Sequence, residues 1–453
     1  MIMGTPFDLT VTEAALSIRN RELSVPELMD SLLERIERLD PRLQAWEYID
    51  LDMARAEANK VQESIDNNGP NGKLQGVPVG VKDIFHTVGM PTRAGAPFWA
   101  GYMPDSEATC ITRIRNEGGI ILGKTVTTQF ADGDPARSLN PWNTAHTPGG
   151  SSTGSAVAVA SRMVPAAFGS QTVGSVLRPA AYNGVVGFKP SYGRISKNGV
   201  VEYATSFDHV GFIARSVDDV ALLLHVTEGI DSTDTKSVHV PSAIAHPFDK
   251  KQARPVITVL RGYFSELSTP ETNENLDLSV RKLREAGAIV NEVNPVIDFS
   301  ELAEVHSLMV AFEAARYHND MFQAHQEDYG PLITTVIERG FGITAEQYQR
   351  CVEVRRKAFS DVNRMAGDLG VMLTPTASAP APKELKTTGD LRFQSPWSFL
   401  GFPSISLPSG LSNDGLPFGL QLSMGYLEDQ ALLQSASWCA DVLGIPVRPP
   451  GLE

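Results

Sequence analysis

Apolar side chains near the amino terminus recur at the spacing of one helix face. Two capping boxes precede this region, Thr10 with Glu13 and Ser24 with Glu27, and Pro26 falls in the first turn after Ser24. A helix is therefore expected after each box. In the second helix one apolar stripe is formed by Val25, Leu28, Met29, Leu32, Leu33, Ile36 and Leu39.

Beyond a turn at residues 67–72, short apolar runs alternate with helical patterns. Strands are predicted at 77–81, 120–122, 164–168, 185–188, 256–260, 288–293 and 371–375, and the segments 400–408 and 419–422 close the sheet. Helical spacing recurs at 271–287, 300–326, 344–368 and 429–443. Most of these strands are too apolar to alternate, which is typical of a sheet covered on both faces. The pattern therefore predicts an α/β fold.

The chain of 453 residues contains neither a low-complexity linker nor an internal repeat. We expect one domain over residues 1–453. Its regions are a helical segment at about 1–70, a core with the candidate catalytic motifs at about 71–225, a variable helical and substrate-pocket region at about 230–370, and a return to the sheet at about 371–453. Residues 230–255 are polar and predict a surface excursion.

Composition and charge narrow the class of protein. Hydrophobic residues make up 42% and charged residues 20% of the chain, enough to fill a sizeable core. The net charge is -14 and Lys and Arg form no block, so a nucleic-acid partner is not expected. The first residues lack the features of a signal peptide, and no apolar run reaches membrane-spanning length. We expect a cytoplasmic monomer or homodimer with no membrane partner.

The residue types that bind metals are scattered along the chain. Cys110, Cys351 and Cys439 lie far apart, which favours packing residues over a disulfide framework. The nine histidines show no HExxH or other ligand spacing. We therefore expect neither a metal nor another cofactor.

Three short patterns match known motifs but lack the surroundings that those motifs need. Residues 118–125 fit the phosphate loop GxxxxGK[ST], yet Ile-Ile-Leu fills the loop and a helix is predicted before it. Residues 150–154 fit the GxSxG elbow with Ser152 as nucleophile, but this chemistry needs a later acid and then a histidine, the last histidine is His325, and no HGGG motif occurs. Ser279 and Lys282 fit SxxK without the SDN and KTG motifs, in a polar segment that predicts a solvated helix face. Nucleotide binding, an α/β-hydrolase and a penicillin-binding enzyme are therefore disfavoured.

One lysine and two serine-glycine segments remain. Lys82 ends the apolar run Gly76-Val-Pro-Val-Gly-Val-Lys82-Asp83. Burial of such a strand favours the neutral amine, which can act as a base. Residues 149–155 and 169–179 crowd small residues around serines, so that backbone N–H groups can face a reacting carbonyl oxygen. Together these features suggest acyl transfer by serine and lysine without histidine.

The sequence resembles the amidase signature family in ordered motifs that extend over most of the chain. The matching segments are 76–83, 122–125, 140–142, 148–152, 169–180, 184–190, 206–211, 373–376 and 415–421. The resemblance implies the amidase signature fold, in which a central mixed β-sheet is flanked on both faces by α-helices. It also implies a serine hydrolase that cleaves the C–N bonds of carboxamides through an acyl-enzyme.

The resemblance assigns roles to individual positions. It makes Ser175 the acyl nucleophile, Ser151 a proton relay held on a cis peptide, and Lys82 the base. The backbone N–H groups of Thr172, Val173 and Gly174, continuing to Ser175, would form the oxyanion hole. A neutral lysine could take the Ser175 proton through Ser151 and return it to the leaving amine.

Two positions depart from the Gly-Ser-Asp-x-Gly-Gly-Ser pattern usual in this family. Gln171 stands where the pattern has an acid, and Val173 replaces a glycine. A β-branched residue strongly disfavours positive φ, so we expect an ordinary negative φ at Val173, with Gly174 taking any unusual dihedral. These departures leave the three catalytic positions intact and alter the shape of the pocket.

The substrate stays open at this point. Carboxamides, carbamates (urethanes) and esters are all cleaved within the family, and the amidase subunit of a tRNA-dependent amidotransferase complex is an alternative of another class. The pocket walls are expected from residues 87–102, 132–139 and 300–345. Phe98, Trp99 and Tyr102 suggest an aromatic wall, and plain core packing explains them equally well.

Overall fold

The computed structural model describes residues 5–238, 240, 254–444 and 448–452. Within these residues the strands form one sheet. They are β1 (Trp46–Ile49), β2 (Pro78–Lys82), β3 (Ile120–Thr125), β4 (Ala166–Gln171), β5 (Val186–Lys189), β6 (His209–Ala214), β7 (Val256–Leu260), β8 (Ile289–Val293), β9 (Val371–Pro375), β10 (Ser404–Leu411) and β11 (Pro417–Ser423).

Helices connect the strands. They are α1 (Val11–Arg19), α2 (Val25–Leu43), α3 (Leu51–Asn68), α4 (Thr109–Asn116), α5 (Thr153–Ala160), α6 (Leu177–Asn183), α7 (Val217–Thr227), α8 (Tyr263–Glu266), α9 (Pro270–Glu285), α10 (Phe299–His325), α11 (Pro331–Phe341), α12 (Ala345–Leu369), α13 (Ser395–Leu400) and α14 (Asp429–Leu443). Both predicted capping boxes are formed, so α1 and α2 begin directly after Thr10 and Ser24.

The sheet is mixed, with the strand order β1-β3-β2-β4-β6-β5-β10-β11-β9-β7-β8. The neighbours β3, β2 and β4 run parallel, as do β9, β7 and β8. The strands between these two groups pair antiparallel. Every residue of β5 is buried, and both α6 and α7 pack on it, as expected for a sheet covered on both faces. The predicted α/β fold with helices on both faces is confirmed.

Most predicted elements are present with shifted ends. The strand expected at 164–168 begins and ends later, as β4, because its second half is the polar sequence Gly-Ser-Gln. The helix expected at 429–443 has those bounds. Several elements had no predicted range: the short edge strand β1, strand β6, and the helices α3, α5, α6, α7, α8, α11 and α13. The surface excursion expected at 230–255 lies largely outside the described residues.

Two further expectations bear on the core and the surface. Cys110, Cys351 and Cys439 are all buried and unbridged, which confirms them as packing residues. Among the helices of the described residues, none combines the length with the apolar character that a bilayer crossing requires.

Candidate active site

The carboxyl ends of two neighbouring strands place Lys82 beside Ser170. Strand β2 ends at Lys82, and β4 continues through Ser170 to Gln171. The two strands are parallel and paired from Val79 with Ala166 onward, so their carboxyl ends meet at the same edge of the sheet. The ends of strands in open α/β sheets are where ligands usually bind.

Lys82 is completely buried and touches two serine hydroxyls. Its Nζ lies 2.7 Å from Ser151 Oγ and 2.8 Å from Ser170 Oγ. Burial lowers the pKa of Lys82 well below its usual value, and the nearby charge of Asp208 opposes this only in part. A neutral amine has one lone pair, which can accept the Ser151 proton while an N–H donates to Ser170. Ser170 had no role in the sequence prediction.

The conformation of the Ser151 segment is defined by a cis peptide bond and two hydrogen bonds. The peptide bond between Gly150 and Ser151 is cis, as the resemblance implied. The Ser151 carbonyl accepts a hydrogen bond from the Thr128 N–H at 3.3 Å, and an Arg178 guanidinium nitrogen donates to the Gly150 carbonyl at 2.8 Å. Arg178 belongs to the helix that follows Ser175, so it ties the two serine segments together.

Ser175 lies against the same segment. Its carbonyl accepts a hydrogen bond from the Ser152 N–H at 3.2 Å, and the residue is 8% exposed. Within the described residues the Ser175 hydroxyl forms no hydrogen bond. The hydroxyl groups of Ser151 and Ser175 are therefore not hydrogen-bonded to each other in this structure. Catalytic hydrogen bonds are often long in the absence of substrate and tighten when it binds.

The loop between β4 and Ser175 presents free amides. Among the described residues, no acceptor takes the backbone N–H groups of Thr172, Val173, Gly174 or Ser175. Thr172 and Ser175 are buried. Buried amides without a partner are costly in a folded protein, and such a row is suited to receive an oxyanion.

The side chain of Gln171 holds this loop in place by hydrogen bonds. It is fully buried, and its Oε1 accepts the N–H groups of Val176 at 2.8 Å and Leu177 at 3.0 Å. Its Nε2 donates to Ser398 Oγ at 2.9 Å, and the same hydroxyl donates to the Val173 carbonyl at 2.7 Å. A neutral amide thus connects both ends of the loop, using an acceptor and a donor together. The sequence marked Gln171 as a departure and gave no indication of its partner on α13.

The expected dihedral at Val173 is confirmed, and Gly174 does not have to take an unusual one. Val173 is not among the residues with positive φ, and neither is Gly174. Space at position 174 is limited, because a Cβ there would lie 2.6 Å from Gln394 Oε1 and would displace that buried side chain. The side chain of Val173 is partly buried and packs against the core.

The three disfavoured patterns have structural positions of their own. The phosphate-loop pattern forms strand β3, where buried Lys124 pairs with Asp83 at 2.9 Å. Ser152 is fully buried, with its hydroxyl hydrogen-bonded to the Ser170 backbone. The prediction of a solvated face is wrong for Ser279, which is 1% exposed and donates to the Asn275 carbonyl on the packed side of α9.

The predicted aromatic wall belongs to a larger ring cluster. Phe98 stacks on His325 with ring centroids 4.4 Å apart, and Trp99 meets Phe130 edge to face at 5.5 Å. Tyr102 is 39% exposed and contacts Trp99. Phe130 lies two residues after Thr128, whose N–H bonds to Ser151, so the cluster lies next to the serine segment. In the described part of the chain, no group of three or more His, Cys, Asp or Glu side chains is placed to hold a metal ion.

Comparison with known proteins agrees with this architecture. Residues 27–433 match the family model named Amidase, and the chain belongs to this family. It is 32% identical over 482 residues to a glutamyl-tRNA(Gln) amidotransferase subunit of Halothermothrix orenii, covering 98% of this chain and 99% of the relative. General amidase function follows from this membership.

Solved structures of the family superpose closely. Peptide amidase from Stenotrophomonas maltophilia is similar with a TM-score of 0.83 and 27% identity, covering 98% of this chain and 99% of that one. A 6-aminohexanoate cyclic dimer hydrolase matches with a TM-score of 0.85 and 26% identity, covering 99% of both chains. These neighbours confirm the amidase signature fold.

Proposed function

We propose that this protein is a serine hydrolase that cleaves the C–N bonds of linear carboxamides with Ser175, Ser151 and Lys82, without a metal. The observation that carries the proposal is the 2.7 Å contact between the buried Lys82 Nζ and Ser151 Oγ. Burial lowers the pKa of Lys82 and so favours the neutral amine, whose lone pair can accept a proton.

The reaction follows from the order of these groups. Ser151 passes its hydroxyl proton to neutral Lys82 and takes the proton of Ser175, whose oxygen attacks the amide carbonyl. The tetrahedral oxyanion is received by the free amides from Thr172 to Ser175. Each such donor typically contributes about 3 to 4 kcal/mol to transition-state stabilisation. The proton then returns along the same path to the leaving amine, and water hydrolyses the acyl-enzyme.

Substrates of this centre are expected to be small amides. The ring cluster of Phe98, Trp99 and Phe130 beside the serine segment supports an apolar or aromatic acyl group. A carbamate or an ester presents the same carbonyl to Ser175 and is the nearest alternative. A panel of anilides, aliphatic amides, aryl carbamates and esters, matched in acyl size, would rank them by kcat/KM.

Covalent labelling tests the assignment of the nucleophile. We expect Ser175→Ala to abolish both turnover and labelling by a fluorophosphonate probe. Ser152→Ala is the matched control, because Ser152 is a neighbouring buried serine whose hydroxyl is used by the Ser170 backbone. Labelling that persists in Ser175→Ala and vanishes in Ser152→Ala would contradict the proposal.

A second candidate is the amidase subunit of an amidotransferase complex. It is supported by the 32% identity to a glutamyl-tRNA(Gln) amidotransferase subunit over 98% of the chain. Such a subunit would work only beside a partner that binds tRNA. Robust hydrolysis of simple amides by the purified chain, without a partner or ATP, would favour the stand-alone enzyme.

A further inference from the structure

A buried carboxylate lies behind the candidate active site and has no role in the scheme above. Asp208 precedes β6 and is 8% exposed. Its Oδ1 accepts the Thr172 hydroxyl at 2.5 Å, and its Oδ2 accepts the N–H groups of Tyr203 at 2.7 Å and Ala204 at 2.9 Å. Because each of these contacts is a donor, they favour the ionised form of Asp208.

Asp208 also lies close to Ser170, a residue that contacts Lys82. A small cavity of about 10 Å³ is lined by Ser170, Asp208 and Lys197, among others. Ser170 is the residue whose hydroxyl contacts Lys82 Nζ at 2.8 Å. Asp208 and Ser170 therefore line the same small cavity, and Ser170 also contacts the lysine. Within the described residues it is the charge that opposes the effect of burial on the Lys82 pKa.

Other groups also face Asp208. Burial raises the pKa of Asp208, and the positive charge of Lys197 lowers it. Three tyrosines have their pKa raised, chiefly by burial and partly by the charge of Asp208, namely Tyr192, Tyr203 and Tyr317. Neutral tyrosines carry no charge that could substitute for the carboxylate near Lys82.

We propose that Asp208 is a positioning residue for this centre, which orients the oxyanion loop through Thr172 and supplies the negative charge that faces Lys82. The inference rests on the proposed roles of Lys82 and Ser175. The two effects are separable, since the first depends on a hydrogen bond and the second on a charge. The hydrogen bonds of Asp208 go to Thr172, Tyr203 and Ala204, so it acts on the centre through its neighbours.

The test is the pH dependence of Ser175 labelling by a fluorophosphonate, which needs no knowledge of the substrate. In Asp208→Asn, Lys82 loses the charge that helps it to retain a proton, so the acidic limb of the labelling profile should move to lower pH. The plateau rate should fall by about tenfold, because Lys82 becomes a weaker base and Thr172 is less firmly held. In Thr172→Val the charge stays, so labelling should slow with the acidic limb in place.

Asp219→Asn is the matched control. Asp219 is a fully buried carboxylate in α7 that accepts the N–H and the hydroxyl of Thr12, at the start of α1. Its charge is not among those that shift the Lys82 pKa. We expect its labelling profile to match the wild type. An unmoved acidic limb in Asp208→Asn, or an equal shift in Asp219→Asn, would overturn the inference.

Two further outcomes have a defined meaning. If Asp208→Asn does not fold, Asp208→Glu replaces it: this variant keeps the charge and displaces it, so slower labelling with an unmoved limb is expected, and a moved limb would overturn the inference. If the wild-type protein is not labelled at Ser175 at all, the proposed function fails first. If Asp208→Asn is labelled at Ser175 with the wild-type profile, only the role of Asp208 is refuted, and the proposed function stands.

Discussion

Replacing Gln171 by leucine would remove the acceptor that holds the start of α6. In Gln171→Leu the N–H groups of Val176 and Leu177 lose their shared partner, Gln171 Oε1, at 2.8 and 3.0 Å. All residues of α6 are buried, so water does not readily replace this acceptor. A buried amide left unpaired costs about 1 to 3 kcal/mol, and two of them predict a loss of about 2 to 6 kcal/mol in the free energy of unfolding.

Urea denaturation followed by circular dichroism measures this loss, and fluorophosphonate labelling of Ser175 measures its effect on the loop. Gln171→Glu keeps an acceptor for both amides and is expected to lose less than half as much. Gln421→Leu serves as a control, because this buried glutamine donates to Thr374 and to the Phe393 carbonyl, and its Oε1 takes no donor among the described residues.

One result would refute the structural role of Gln171. If Gln171→Leu unfolds within about 0.5 kcal/mol of the wild type, the two amides find other partners and the role assigned to this side chain is wrong. A loss in Gln171→Glu as large as in Gln171→Leu would show that the amide nitrogen, rather than the oxygen, holds the loop. Gln421→Leu should label Ser175 at the wild-type rate.

Three other variants test separate parts of the structure. Lys82→Ala should lower kcat far more than it changes KM, and wild-type activity should rise with pH as Lys82 loses its proton, so a flat pH profile would count against the base. Val173→Gly should alter the preference among acyl groups of different size in competition assays while Ser175 still labels; an equal change for every substrate would place the side chain outside the pocket. Lys124→Met leaves the buried Asp83 charge unpaired and should cost about 3 to 5 kcal/mol in urea unfolding, with Lys124→Met/Asp83→Asn recovering part of it, and a loss below about 1 kcal/mol would contradict the pairing.

The elements that could be predicted are those whose residues carry a local signal. Capping boxes at Thr10 and Ser24 fix the start of two helices, and the apolar run before Lys82 fixes strand β2 to within a residue. Strand β6 was missed because it begins with His209 and contains a glycine, so its apolar residues form no long run. Its place in the sheet is decided by pairing with β4 and β5, which is not a local property.

The residues of the candidate site also divide into those that carry a local sequence signal and those that do not. Lys82, Ser151 and Ser175 lie in motifs of their own, and the resemblance of these motifs to the amidase signature family is enough to propose them. The partners of these residues come from distant segments: Ser398 reaches Gln171 from α13, and Asp208 reaches Thr172 from the turn before β6. No spacing rule connects such positions, because their proximity exists only once the sheet has formed.

The pairing of β5 with β10 has a consequence for how the protein is made. This pairing joins the part of the sheet that carries the serine segments to the last part of the chain. In the sequence, the long helices α10 and α12 lie between the two strands. As the polypeptide leaves the ribosome, β5 is complete long before β10 exists, and its apolar edge stays open to other chains in the meantime. The pairing of β5 with β10 can therefore form only after synthesis is nearly finished. Exposure of that edge during synthesis is therefore expected to favour aggregation of incomplete chains.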